Sequence, residues 1–232
     1  MLRNDLITRN PLRLMGHESK DILAQGEFGA LLARAGVGKT ALLVQLSLNS
    51  LLQGKNVLHI SLQDPVKKVN LWYREVFSRI SQQYDTKQIN QLWDSVLPHR
   101  FIMTFKVEGF TVPKLEERLT DLLEQDIFTP QMMLVDGLPF GESDQAPLTE
   151  LKTLARKYGL HAWFTVRTHR HEEPGIGGIP VQLQQVDELF ELAIQLVPEG
   201  KQVIVKILKG IGADSEHPDL VLDPATMLIQ NR

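Results

Sequence analysis

The chain has 232 residues, of which 43% are hydrophobic and 23% charged, with a formal net charge of −3 and no cysteine. That length and apolar content suit one large α/β domain or two small ones built around a real core. The charge gives no overall basic field to draw in nucleic acid or an anionic membrane, and the lack of cysteine excludes disulfides, thiolate metal sites and cysteine nucleophiles.

Residues 1–25 read as an N-terminal arm, interrupted by Pro11 and Gly16, with a short helix expected at 19–25. Its charges are scattered, and no apolar stretch reaches signal-peptide or membrane-spanning length, so a cytoplasmic protein without a membrane partner is expected. The run "EFGALLA" (27–33) predicts a buried strand that ends in a glycine-bearing turn. A helix follows over 39–53, stopped by Gly54. "NVLHISL" (56–62) predicts a second strand, ended by "QDP". The segment 66–84 predicts a long amphipathic helix with Val69, Trp72, Val76, Phe77 and Ile80 on its buried face. "HRFIMTFK" (99–106) is a third strand. In the next helix Thr111 is the cap, Pro113 lies in the first turn, and Glu116 and Glu117 sit near the positive end.

"MMLVD" (132–136) is an apolar strand closing on one carboxylate, followed by a helix at 148–159 and a strand at 161–166. Residues 168–180 are a loop, and 191–197 and 201–208 are strands. "DLVLD" and "ATMLIQ" make a final hairpin. The alternation of strand and helix predicts a mostly parallel central sheet with helices on both faces, and the strand-rich end an antiparallel extension. No repeat or long linker divides the chain, so the arm (1–25) precedes a single domain (26–232).

The turn between the first strand and its helix reads "ARAGVGKT", Ala33 to Thr40. It fits the phosphate-loop pattern G-x-x-x-x-G-K-[ST] except that Ala33 replaces the first glycine. Such a loop cradles phosphates with successive backbone N–H groups at a helix N-terminus. The expected binding segment is Ala33, Arg34, Ala35, Gly36, Val37, Gly38, Lys39, Thr40 and Ala41, with Lys39 as the cation for the outer phosphates. Alanine is tolerable at position 33 provided its φ stays negative. Gly36, Gly38 and Ala41 also fit the dinucleotide pattern G-x-G-x-x-[GA], but Lys39 and Thr40 are better explained by phosphate and Mg²⁺. Thr40 and Asp136 are the expected Mg²⁺ ligands, because a phosphate-loop ATPase needs a carboxylate at the end of a neighbouring buried strand.

Six segments occur in one order: "GEFGALLARAGVGKTALLVQL", "VLHISLQDP", "GFTVPKLEERLTDLLEQ", "MMLVDGL", "LKTLARKYGLHAWFTVRTHR" and "QVIVKILKG". Together they resemble the RecA-like P-loop ATPase core, closest to the replicative helicase (DnaB) and circadian-clock KaiC branches, over roughly residues 15–230. The resemblance implies a central parallel sheet, ATP with Mg²⁺, and assembly into a homo-oligomer with ATP between neighbouring subunits. Where the family carries a water-polarising glutamate, this chain has Gln63, with Asp64 next. Glutamine orients water but accepts no proton, so slow hydrolysis is expected unless Asp64 or Glu142 substitutes.

Arg167 stands at the position of the family's γ-phosphate sensor; contact with that phosphate and a structural ion pair are both open to it. Lys206 and Lys209 stand where ring-forming relatives reach into a neighbour's ATP, and two exposed strand lysines is the simpler expectation. The loop at 168–182 matches the DNA-contacting segment of the family. Arg167, His169, Arg170 and His171 could meet phosphates there, but Glu172 and Glu173 offset the charge and no aromatic residue is interleaved, so DNA is not favoured. His169 and His171 lack a third well-spaced metal ligand. Three functions are carried forward: a stand-alone ATP-binding protein with weak or regulated ATPase activity, acting as a regulatory or assembly factor; an inactive nucleotide-binding scaffold that engages a protein partner; and a DNA-dependent ATPase or a recombination or helicase accessory.

Overall fold

The computed structural model of the protein describes residues 2–8, 22–140, 145–169, 178–210 and 220–231. A seven-residue helix, α1 (Leu2–Thr8), precedes strand β1 (Phe28–Ala33), all six of whose residues are buried. Helix α2 (Lys39–Leu52) leads to β2 (Val57–Ser61), followed by α3 (Val66–Ser81), α4 (Thr86–Val96) and β3 (Arg100–Thr104). Helix α5 (Val112–Glu124) leads to β4 (Met132–Asp136), and α6 (Gln145–Lys157) to β5 (His161–Arg167). One helical turn, α7 (Val181–Gln184), precedes β6 (Leu192–Glu199), β7 (Gln202–Lys209), β8 (Leu220–Leu222) and β9 (Ile229–Asn231).

These strands form one sheet of nine, in the order β3-β2-β4-β5-β1-β6-β7-β8-β9. The pairings from β3 through to β6 are all parallel, and those from β6 to β9 are antiparallel. The expected α/β architecture is therefore present, with one refinement. The C-terminal strands do not start a separate antiparallel unit, because β6 first extends the parallel sheet beside β1. Both faces of the parallel region are covered, as near-continuous apolar strands require. Leu31, Leu134 and Trp163 face a core shared with α2, α3 and α4, while Ala30, Leu32, Val135 and Phe164 face a core shared with α5 and α6. The parallel direction brings the C-terminal ends of β1, β2, β4 and β5 to one edge of the sheet, where open α/β sheets bind ligands.

Several sequence expectations change. In the expected helix at 19–25, residues 22–25 form a bend and a turn, and 19–21 lie outside the described residues; the arm's helix is α1 instead. Leu6 and Leu23 are buried in the α2 core, so the arm packs as part of the domain. In α3 the fully buried aromatic is Tyr73, and Trp72 is half-buried. Helix α4 was not anticipated, yet Asp85 caps it by accepting from the backbone N–H groups of Lys87 (2.9 Å) and Gln88 (3.3 Å). Among the described residues no helix is long and apolar enough to cross a membrane.

Candidate functional site

Strand β1 carries the loop to the sheet edge. Ala33 pairs in register with Arg167, and its carbonyl accepts from the Thr168 N–H at 3.0 Å. The Ala33 side chain is wholly buried in the core. Asp126 and Met227 are the non-glycine residues with positive φ among those described, so Ala33 has no need of glycine's freedom. Gly38 does need it. Its φ is +114°, and a Cβ there would lie 2.6 Å from Cδ2 of Leu222 on β8. The loop is thus seated against the C-terminal hairpin. Gln45 of α2 fixes the same hairpin, donating to the Met227 carbonyl (2.6 Å) and accepting from the Ile229 N–H (3.3 Å).

The Lys39 ammonium folds back over the loop and donates to the carbonyls of Ala33 (2.7 Å) and Arg34 (2.9 Å). Burial pulls its pKa down to about 8; the Asp136 charge opposes that shift and the Arg167 charge adds to it. Ala35, Gly36, Gly38, Lys39, Thr40 and Ala41 line an open cavity of about 460 Å³, within the range of small-ligand sites. Ala33 and Val37 instead pack in the core, and Arg34 contributes its carbonyl to Lys39.

Across the cavity, Asp136 ends β4. Its Oδ2 accepts from the Thr40 hydroxyl at 3.0 Å and its Oδ1 from the Thr165 hydroxyl at 2.7 Å. Thr165 in turn accepts from the Gly137 N–H at 3.0 Å. Burial raises the Asp136 pKa, the two threonine hydrogen bonds lower it, the Asp64 charge raises it and the Lys39 charge lowers it. The Thr40 hydroxyl and the Asp136 carboxylate are hard oxygen donors meeting from positions 96 residues apart, and their chemistry fits Mg²⁺.

Gln63 follows β2 and lies flat against Gly137. Its Nε2 donates to the Gly137 carbonyl at 3.4 Å, and a Cβ on Gly137 (φ +88°) would stand 2.8 Å from Gln63 Cγ. The Asp64 N–H is held by the Ser61 hydroxyl at 3.0 Å, and its carboxylate pairs with Lys68 at 2.8 Å. Arg167 is exposed at the end of β5 and lines the cavity, as does His169. The structure thus brings Lys39, Thr40, Gln63, Asp64, Asp136 and Arg167 around one space.

Thr165 and Lys68 were missed from sequence. Thr165 carried a signal, since it shares a strand face with Arg167 at the site end of an otherwise apolar run. Lys68 carried a fainter one, four residues after Asp64 on a helix. Met227, which also lines the cavity, had none. Lys209 donates to the Asp187 carbonyl (2.7 Å) and carboxylate (3.0 Å), and Lys206 lies 3.7 Å from Glu199, so both are partnered within the chain. Glu142, Arg170, His171, Glu172 and Glu173 lie outside the described residues. Among the described residues no cluster of three or more His, Asp or Glu could hold a metal. Compared with protein-family models and with curated proteins, the chain matches none.

Proposed function

We propose that the chain is a RecA-like, cytoplasmic ATP-binding protein with weak or regulated ATPase activity, acting as a regulatory or assembly factor and working as a homo-oligomer. The observation that carries this is the meeting of Thr40 and Asp136 beside a glycine-bearing loop whose lysine reaches back over it. On this reading Lys39 leaves the Ala33 and Arg34 carbonyls to contact the outer phosphates. Thr40 and Asp136 would hold Mg²⁺, which neutralises phosphate charge. Gln63 orients a water without taking its proton, and general-base help, worth ~10²–10⁴-fold, is then missing unless Asp64 supplies it.

A second reading, an inactive nucleotide-binding scaffold for a protein partner, is favoured by one fact. Gln63 and Asp64 are both already engaged, on Gly137 and Lys68. Binding and turnover of ATP with Mg²⁺, by wild type and Lys39→Ala, test both. Lys39→Ala should weaken binding by roughly 10–100-fold, the worth of a charge-assisted contact. Turnover above the variant's background supports an ATPase; binding without turnover supports the scaffold. A wild type that binds no ATP overturns both, and stimulation by single-stranded DNA would reinstate the DNA-dependent reading.

A further inference from the structure

Lys68 has no part in the site as the sequence predicts it, yet it lines the same cavity as Lys39, Thr40 and Asp136. Its ammonium lies 2.8 Å from Asp64 Oδ1, one helical turn back along the chain. Asp64 and Asp136 line the same cavity, so this ion pair shares its space with the carboxylate expected to hold Mg²⁺. The Lys68 side chain is 59% exposed and that of Asp64 is 21% exposed. An exposed pair at this spacing is a weak bond that a better anion can displace. The first turn of α3 also holds Lys67 and Lys68 with no acidic residue, the reverse of what a helix dipole favours. Three cations (Lys39, Lys68 and Arg167) and two carboxylates (Asp64 and Asp136) line the cavity, an excess of positive charge suited to a polyanion.

We propose that Lys68 is a terminal-phosphate sensor: it rests on Asp64 and transfers to the γ-phosphate of a bound nucleoside triphosphate, so that the site distinguishes triphosphate from diphosphate. This rests on the nucleotide-binding reading above. Lysine suits the task because its ammonium is a mobile point charge on a flexible stem, which exchanges partners without a fixed fork geometry. The transfer leaves the Asp64 carboxylate without its cation beside Gln63, so occupancy by triphosphate leaves an unpaired negative charge next to the expected water position. A diphosphate offers Lys68 nothing at that end and leaves the pair closed.

The test is a double-mutant cycle on the full chain, reading the affinities of Mg²⁺-bound ADP and of the slowly hydrolysed analogue with a β,γ-imido bridge. Lys68→Met should weaken the triphosphate analogue about tenfold, the worth of one charge-assisted hydrogen bond, and leave ADP unchanged. Asp64→Asn should strengthen the analogue, and that gain should shrink in the Lys68→Met background, because its origin is the released lysine. A cooperative thermal melt checks that each variant is folded. Equal losses for both nucleotides in Lys68→Met, no loss for either, or an Asp64→Asn gain that persists without Lys68 would each overturn the sensor alone. A wild type that binds neither nucleotide overturns the nucleotide reading and the sensor with it.

Discussion

Lys39 rests on two carbonyls of its own loop, and its surroundings have taken its pKa down to about 8. That depression has a consequence for binding. A phosphate beside the ammonium favours the charged form, so the bound lysine keeps its proton well above pH 8. Below pH 8 the free and bound proteins carry the same charge on Lys39, and affinity is flat. Above pH 8 the free lysine is neutral, and each binding event must take up a proton. Affinity for Mg²⁺-bound ATP should therefore fall by about tenfold per pH unit as pH rises past 8. Titration calorimetry at pH 7, 8 and 9 in buffers of different ionisation heat measures both the affinity and the proton uptake; flat affinity through pH 9 would show that Lys39 is not the phosphate contact. Of the residues around this cavity, Lys39, Thr40 and Asp136 were legible because the glycine-bearing loop is a local pattern and a carboxylate ending an apolar strand stands out. Thr165 was legible only as a polar residue on the Arg167 face; its bond to Asp136 depends on β5 lying beside β4, which the order of segments does not fix. Ala33 shows that a pattern residue can be read through its geometry: a buried strand end with no positive φ has no use for glycine.

Behind the site, β2 and α3 share a buried polar cluster. The Tyr73 hydroxyl meets Ser47 of α2 at 2.7 Å and His59 Nδ1 at 3.1 Å, and the Arg100 guanidinium lies 4.3 Å from the centre of the Tyr73 ring. Arg100 is itself hydrogen-bonded to Asn70. Burial, and secondarily the Arg100 charge, press the His59 pKa from 6.5 down to about 3. The sign follows from linkage. The unfolded chain takes up a proton near pH 6.5 and the folded protein does not, so stability present above pH 6.5 is lost as pH falls towards 3. Inside that window the loss from this one group is about 1.4 kcal/mol per pH unit. Urea midpoints at pH 7, 6 and 5 should thus drop more steeply for wild type than for His59→Gln, whose side chain does not titrate; parallel profiles would remove His59 from the account. This cluster was only partly legible. The alternation in "NVLHISL" puts His59 on one face with Val57 and Ser61, but choosing Tyr73 over Trp72 as the buried aromatic needed the arc that α3 buries. That arc is wide because α3 packs on both α2 and β3, which a one-face helical pattern does not express. Helix α4 carried its own start signal, Asp85 followed three residues later by Gln88, with Ile89, Leu92, Trp93 and Val96 at helical spacing.

At the scale of the whole molecule, the proposed function sets stability against ligand binding. Asp136 is a half-buried carboxylate whose pKa is raised above the ordinary 3.8, which means that its ionised form is less favourable in the folded protein than in the unfolded chain. Wherever it is ionised in the folded protein that charge costs stability, and the cost fades as pH falls through the raised value. Two threonine hydroxyls and a lysine offset it only in part, and a divalent cation would complete the compensation. Asp136→Asn removes the charge while keeping the shape, so without nucleotide it should raise stability by about 1 kcal/mol, or roughly 2–4 °C in Tm for a chain of this size. The same variant should forfeit the ligand-linked gain. Wild type at a hundredfold excess of Mg²⁺-bound ATP over its Kd should gain about 2.7 kcal/mol, or roughly 5–11 °C. Thermal melts of both proteins, with and without ATP and Mg²⁺, should therefore cross: the variant melts higher alone and lower with ligand. If the variant is no more stable alone, the carboxylate is better compensated by Thr40, Thr165 and Lys39 than its burial implies; if it still gains with ligand, the metal is held elsewhere. The crossing has a physical root in the parallel sheet, which gathers the ends of β1, β4 and β5 closely enough to desolvate a charge in part. That partial burial costs the protein stability and, on the proposed function, is what a bound cation would relieve.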